Sequence, residues 1–307
     1  MSNLNDFTQN LLSKIGWEDN AFNGAFSIRE DGACAAVQST ENIRIDKKPD
    51  GSGIEIHIKE NTYDESVFIP ACITKSGVND IVTNDFYVGE DADVVIIAGC
   101  GIHNCGGELS QHDGIHTFWL GKNSHIRYVE KHYGEGDGSK NVMNPTTIVH
   151  LDEGASMEME TTQIAGIDDT DRRTEGDLKA GAKLEVREKI LTNGVQNAKT
   201  YFNVDLNGEG CSANVVSRSV ARENSTQFFD SRLNGNAPCA GHSECDSIIM
   251  ENGRVTACPS LTANNIDASL IHEAAIGKIA GEQLMKLMTL GLTEKEAEEQ
   301  IVNGFLK

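Results

Sequence analysis

Two stretches of the chain concentrate side chains that bind metals or attack sulfur. The first, CGIHNCGG at residues 100–107, holds Cys100, His103 and Cys105 within six residues, and His112 and His116 follow closely. With His125 and His132, the span 100–132 carries five of the nine histidines. The second runs from GHSECDSIIMENGRVTACPSL (241–261) into SLIHEAAIGK (269–278) and holds Cys245, Cys258, His272 and Glu273. A thiolate is both a sulfur nucleophile and a soft ligand, and imidazole and carboxylate complete an iron or zinc shell. In the first stretch an extended backbone puts His103 and Cys105 on one face and Cys100 on the other. Chelation by all three needs the glycines to break the strand. The plainer reading is a tight glycine-rich corner whose cysteines pack as small hydrophobes.

Other chemistries do not fit the pattern. The eight cysteines contain no CxxC pair, which disfavours a zinc ribbon or a ferredoxin-type cluster. There is no GxxxxGK[ST], no GxGxxG between a strand and a helix, and no GxSxG elbow. Asp168-Asp169-Thr170-Asp171 lacks the glycine and terminal glutamate of a calcium loop. The 47 acidic and 26 basic residues leave a net charge of −21, which repels phosphate backbones and excludes nucleic acid as a partner. Most of these carboxylates read as a solvated surface. No apolar run reaches the roughly 18–20 residues that span a bilayer, and MSNLNDFTQNLLSKIGWEDN lacks the marks of a signal peptide. A cytoplasmic location is expected, where cysteines stay reduced.

The elements that must hold these residues fall into three regions. Leu4, Phe7, Leu11, Leu12 and Ile15 recur at helical spacing, so residues 1–22 are expected to carry an N-terminal helical segment. Residues 23–263 show short β-type runs separated by glycine, asparagine and aspartate, with a weak repeat. YVGEDADVVII (87–97), WLGKNSHIRYV (119–129), HLDEGASMEME (150–160), DLKAGAKLEVR (177–187) and RLNGNAPCAGH (232–242) share an apolar residue, a polar turn and then a small residue. The small residues are Ala92, Ser124, Ala155, Ala182 and Ala237, and an irregular copy at 206–216 is skipped. A near-constant period of strand, turn and small corner residue predicts a β-solenoid, a parallel β-helix, and the helical ends are natural caps. From about 264 to 307 the pattern is again helical, with Thr293-Glu294-Lys295-Glu296 as a capping box. This C-terminal region reads as a docking module or as a plain cap.

The segment GHSECDSI…HEAAIGKIAGEQLMKLMTLGLTEKEAEEQIVNGF (241–305) resembles the C-terminal signature of the SufB/SufD family of iron–sulfur cluster assembly proteins. HDGIHTFWLGKNSHIRYVEKHYGEG (112–136), MNPTT (143–147) and MEMETTQIAGID (157–168) resemble its shorter members. The resemblance implies a right-handed parallel β-helix with a C-terminal helical domain that binds a SufC-type ABC ATPase. It also implies pairing with a second copy or a SufB/SufD paralogue, a sulfur donor and recipient apo-proteins. Glu273 matches the second glutamate of a Glu-His-Glu-Ala motif assigned to the cluster site, and His272 matches a histidine given that role in SufD-like chains. The family's functional thiol is expected shortly before the proline matched by Pro259, near Gly253. The chain offers instead Cys258, of opposite strand parity, or Cys245 in the Cys-Asp-Ser match.

The reading is therefore a non-catalytic scaffold on which an iron–sulfur cluster is transiently assembled, with ATP hydrolysis left to the partner. Cys245, Cys258, His272 and Glu273 are the primary candidate ligands, and His103, Cys105 and Cys100 the secondary ones. Participation of a flavin stays open. The alternatives are a structural adaptor of the ATPase that holds no cluster and a β-helix enzyme acting on carbohydrate or acyl groups.

Overall fold

The computed structural model describes residues 4–16 and 24–307. Residues 17–23, where the expected N-terminal segment meets the core, lie outside the described residues. Strands of about ten residues stack in parallel into two sheets, each opened by one antiparallel hairpin. Burial alternates along each strand, as in Lys183–Thr192 and Ser212–Ala221, so each sheet turns every second side chain inward. The inward residues of both sheets make one long core that includes Phe86, Phe118, Tyr128, Val149, Leu178 and Phe202. Phe86 and Phe118 stack with centroids 4.3 Å apart across neighbouring coils. This is the expected β-solenoid, with about eight turns.

The repeat has a physical origin at one corner. Ala92, Ser124, Ala155 and Ala182 are fully buried there, and the series continues through Cys211 and Cys239. Asp91, Asn123, Gly154, Gly181 and Gly210, each just before its corner residue, have φ between 55° and 72°, in the left-handed region. Only glycine, asparagine and aspartate adopt that conformation readily. The small residue then closes the turn, as Ala155 and Ala182 do by donating N–H bonds to the carbonyls of Asp152 and Lys179. Two details differ from the sequence reading. The corner of the repeat at 232–242 is Cys239, not Ala237, and the skipped copy at 206–216 is a regular coil with Cys211 at its corner. Both thiols thus replace alanine in a packed corner.

Helix α1 (Asp6–Lys14) lies on the outer face of the strand Asp93–His103 rather than over the end of the solenoid. Its Leu11, Leu12 and Ile15 pack with Phe26, Ile28 and Phe68. The contact depends on two glycines of that strand. A Cβ on Gly99 would sit 2.8 Å from Ile15 Cβ, and one on Gly101 would sit 3.0 Å from Leu11 Cβ.

At the other terminus the helical pattern begins later than expected. Ser269–Gly277 is a strand that continues the solenoid, and only then come α2 (Gly281–Thr289) and α3 (Glu294–Phe305). The capping box forms as read: Thr293 Oγ1 accepts from Glu296 N, while Glu296 Oε2 accepts from Thr293 N at 2.8 Å. Val302 and Phe305 of α3 pack on Val220 and Met250, along the flank. Arg254–Ala263 and Ser269–Gly277 each pair with a neighbour on one side only among the described residues, so the last coil shows two open edges.

Replacing Gly101 with leucine overpacks the helix seat, for which about 1–3 kcal/mol of destabilisation is typical. Hydrogen exchange across residues 6–14 should accelerate in Gly101→Leu while the solenoid strands stay protected, and unchanged protection of α1 would contradict this packing.

Candidate functional site

Parallel stacking turns single residues into rungs, and two rungs inside the solenoid are polar. One runs in register through Ala98, Glu130, Thr161, Glu188, Ser217, Cys245 and Ala274. Its neighbour runs through Cys100, His132, Gln163, Ile190, Ser219, Ser247 and Ile276. Both Cys100 and Cys245 therefore face the interior, with relative exposures of 5% and 1%.

Charges fill the space between them. Arg172, from the facing sheet, reaches Glu130 Oε2 at 2.5 Å and Glu188 Oε1 at 3.6 Å, and all three side chains are at most 3% exposed. Its Nη2 donates to His132 Nδ1 at 3.0 Å. Glu188 also accepts from Thr200 at 3.1 Å and from Ser217 at 2.8 Å. Although burial opposes it, the charge of Arg172 holds the Glu130 carboxyl well below the usual range. Burial dominates at Glu188 and raises it. One buried cation thus serves two carboxylates unequally.

Around Cys100 the arrangement is a thiol between two histidines. Burial would raise the thiol, but the charge of His112, with a smaller pull from His132, brings it down to about 7. His112 is pushed up in return, against burial, by the Cys100 charge and by Asp80, whose Oδ2 lies 3.0 Å from His112 Nδ1. Asp80 is anchored in turn by Arg29 at 2.6 Å. Cys100 and His112 therefore favour a thiolate–imidazolium pair. His116, bonded through Nδ1 to Tyr128 at 2.9 Å, is lowered to about 4 by burial and stays neutral. A cavity of about 330 Å³ reaches Cys100, His112 and His116 past Arg29 and Cys34. Cys245 differs: burial raises it to about 11, and it stays a thiol.

The four primary candidates do not form one shell within a single chain. Cys245 and His272 face inward on adjacent strands, His272 opposite Ser243, and His272 Nδ1 is a buried atom without a hydrogen-bond partner. Glu273 faces outward, beside His242 and Glu244, whose ligand atoms lie within 4.8 Å of one another and of its own. His242 Nδ1 lies 2.9 Å from Asn214 Oδ1, to which it donates, so Nε2 presents a lone pair 3.7 Å from Glu273. Cys258 is exposed on the other sheet, in register with Asp230. Of the secondary candidates, Cys100 faces inward while His103 and Cys105 stay together outside, with Cys105 Sγ 3.3 Å from His103 Nε2. Sequence reasoning missed His242 and Glu244, although both stand in GHSECDS, and it missed the Glu130–Arg172–Glu188 line. The available signal was parity, since residues 242, 244 and 273 share an outer face once strands 240–249 and 269–277 are aligned.

A family model described as the SUF system FeS cluster assembly SufBD core domain matches residues 74–305. The chain belongs to the SufBD family. An iron–sulfur cluster assembly SufBD family protein of Methanocaldococcus jannaschii is 30% identical over 275 residues, 88% of this chain and 86% of its own. One from Archaeoglobus fulgidus is 27% identical over 84% of this chain and 66% of its own. One from Methanothermobacter thermautotrophicus is 41% identical over 34% of this chain and 26% of its own. Membership ties the SufBD chain to iron–sulfur cluster assembly. No helix among the described residues is long and apolar enough to cross a membrane.

The two interior thiols should titrate apart. As pH rises, ultraviolet thiolate absorbance should gain a step near pH 7 that Cys100→Ser removes and a step near pH 11 that Cys245→Ser removes. A Cys100→Ser curve that still rises near pH 7 would count against the histidine-held thiolate.

Proposed function

We propose that this SufBD chain is a scaffold that receives sulfur and iron as substrates, assembles them and passes the cluster to apo-proteins, while a SufC-like ABC ATPase supplies the work. The observation that carries the reading is the buried charged line Glu130–Arg172–Glu188 inside the solenoid, between the histidine-flanked Cys100 and Cys245. A solenoid needs no such line for stability, because desolvating three charges is costly (several kcal/mol per ion). In this reading Cys100 holds sulfur, while Cys245 lies at the ligand end of the line, beside Ser217, which bonds Glu188.

Cluster ligands in this reading are Cys245, Cys258, His272 and Glu273, completed across a pair of chains, either two copies or one copy with a paralogue. The two open strand edges of the last coil support such pairing, since unpaired N–H and C=O groups template a further strand. His242 and Glu244 add ligands for incoming iron beside Glu273. The ATPase docks on the C-terminal helices. Supporting this, α2 buries no side chain, and Met285, Met288 and Leu290 are 61%, 42% and 80% exposed.

Anaerobic reconstitution with ferrous iron, sulfide and reductant should give charge-transfer absorption. Cys245→Ser and Glu273→Ala should each cut bound iron about tenfold or more, as loss of a ligand contact does. Iron and sulfide contents equal to wild type in both variants would sink the reading.

A further inference from the structure

The turn that follows the strand Asp93–His103 carries a thiol with a different setting. Cys105 is exposed, whereas Cys100 is buried on the opposite side of the same wall. Cys105 Sγ lies 3.3 Å from His103 Nε2, and His103 Nδ1 lies 3.0 Å from Glu135 Oε1. A carboxylate accepting from Nδ1 keeps the proton there, so Nε2 offers its lone pair to the thiol. Glu135 is itself fixed, because its Oε2 accepts from Lys14 at 2.5 Å and from Tyr133 at 3.1 Å. The ring of Phe7 stacks on His103 with centroids 4.1 Å apart. Helix α1, seated on Gly99 and Gly101, thus delivers both Phe7 and Lys14 to this cluster. The cluster lies outside the core, with His103 and Glu135 in register on neighbouring strands.

We propose that Cys105, His103 and Glu135 form a surface nucleophile that takes the sulfane sulfur of a persulfide, with His103 as the base and Glu135 as the residue that positions it. The inference rests on the scaffold reading, in which sulfur must enter, and Cys100 at 5% exposure gives a protein-borne donor no access. In the step, His103 takes the Cys105 proton and the thiolate attacks the outer sulfur of the donor. A new S–S bond forms at Cys105 as the donor S–S bond breaks. The donor thiolate leaves with the electron pair and receives the proton from His103, so no external oxidant or reductant is required.

The test uses the full chain under anaerobic conditions with two donors, glutathione persulfide and persulfide-loaded rhodanese, and peptide mass mapping of the sulfur gained. Cys105 should label about tenfold faster than Cys258, which is also exposed but has no histidine hydrogen bond among the described residues. Labelling by one donor or both supports the proposal, and the arm that works identifies the source. His103→Ala should slow labelling by roughly a hundredfold, with recovery in added imidazole. Glu135→Gln should slow it about tenfold, with Glu135→Asp recovering part of the rate. Equal labelling of Cys105 and Cys258, no transfer from either donor, or wild-type rates in the His103 and Glu135 variants would overturn it. Cluster formation by wild-type protein from iron and inorganic sulfide needs no persulfide, so the scaffold reading fails or stands separately there.

Discussion

A guanidinium buried between two carboxylates sets the terms for the rest of this molecule. Arg172 stands between Glu130 and Glu188 with almost no exposure, so its attraction to both must offset the desolvation of all three groups. That balance holds only if each remaining donor and acceptor is met, as Thr200 and Ser217 meet Glu188. The coils must therefore stay in strict register, and the corner chemistry supplies it. A left-handed residue followed by a buried small one returns the chain to the same place in the successive turns from Ala92 to Cys211. Removing Arg172 would leave two buried carboxylates competing for water that cannot reach them.

The same register gives the interior a direction. Cys100, beside a cavity and held as a thiolate by His112 and His132, lies toward one end; Cys245, kept protonated by burial beside Ser217 and Ser247, lies toward the other. The outer surface is divided in a similar way. Helix α1 braces the Cys105–His103–Glu135 cluster near the first end, and His242, Glu244 and Glu273 gather beside the open last coil. In the proposed function this arrangement puts sulfur chemistry near the beginning of the solenoid and metal ligands near its end.

Much of this was legible before the fold was known, and the remainder failed for a definable reason. The solenoid followed from the recurring turn and small residue, and the opposite facing of Cys100 and Cys105 followed from strand parity. The capping box at Thr293 needed only local hydrogen-bond rules. What parity cannot supply is register between coils, because the coils differ in length. Glu130, Arg172 and Glu188 each sat in an alternating strand like any solvated charge, and only stacking makes them neighbours. The corner at Cys239 was misplaced onto Ala237 for a related reason, since a cysteine filling an alanine position breaks the visible repeat. His242 and Glu244 stayed hidden until the strand 269–277, which had been expected as helix, brought Glu273 beside them.

The central claim is that Cys100, held by His112, is the interior thiol that carries sulfur, while Cys245 stays a free thiol at the ligand end. The direct measurement is anaerobic loading with cysteine persulfide, followed by mass mapping of sulfur on Cys100 and Cys245 over time, in wild type and in His112→Ala. The prediction is sulfur on Cys100 well ahead of Cys245 in wild type, with loading of Cys100 slowed in the variant. Sulfur on Cys245 ahead of Cys100, or equal loading of Cys100 in both proteins, would contradict it.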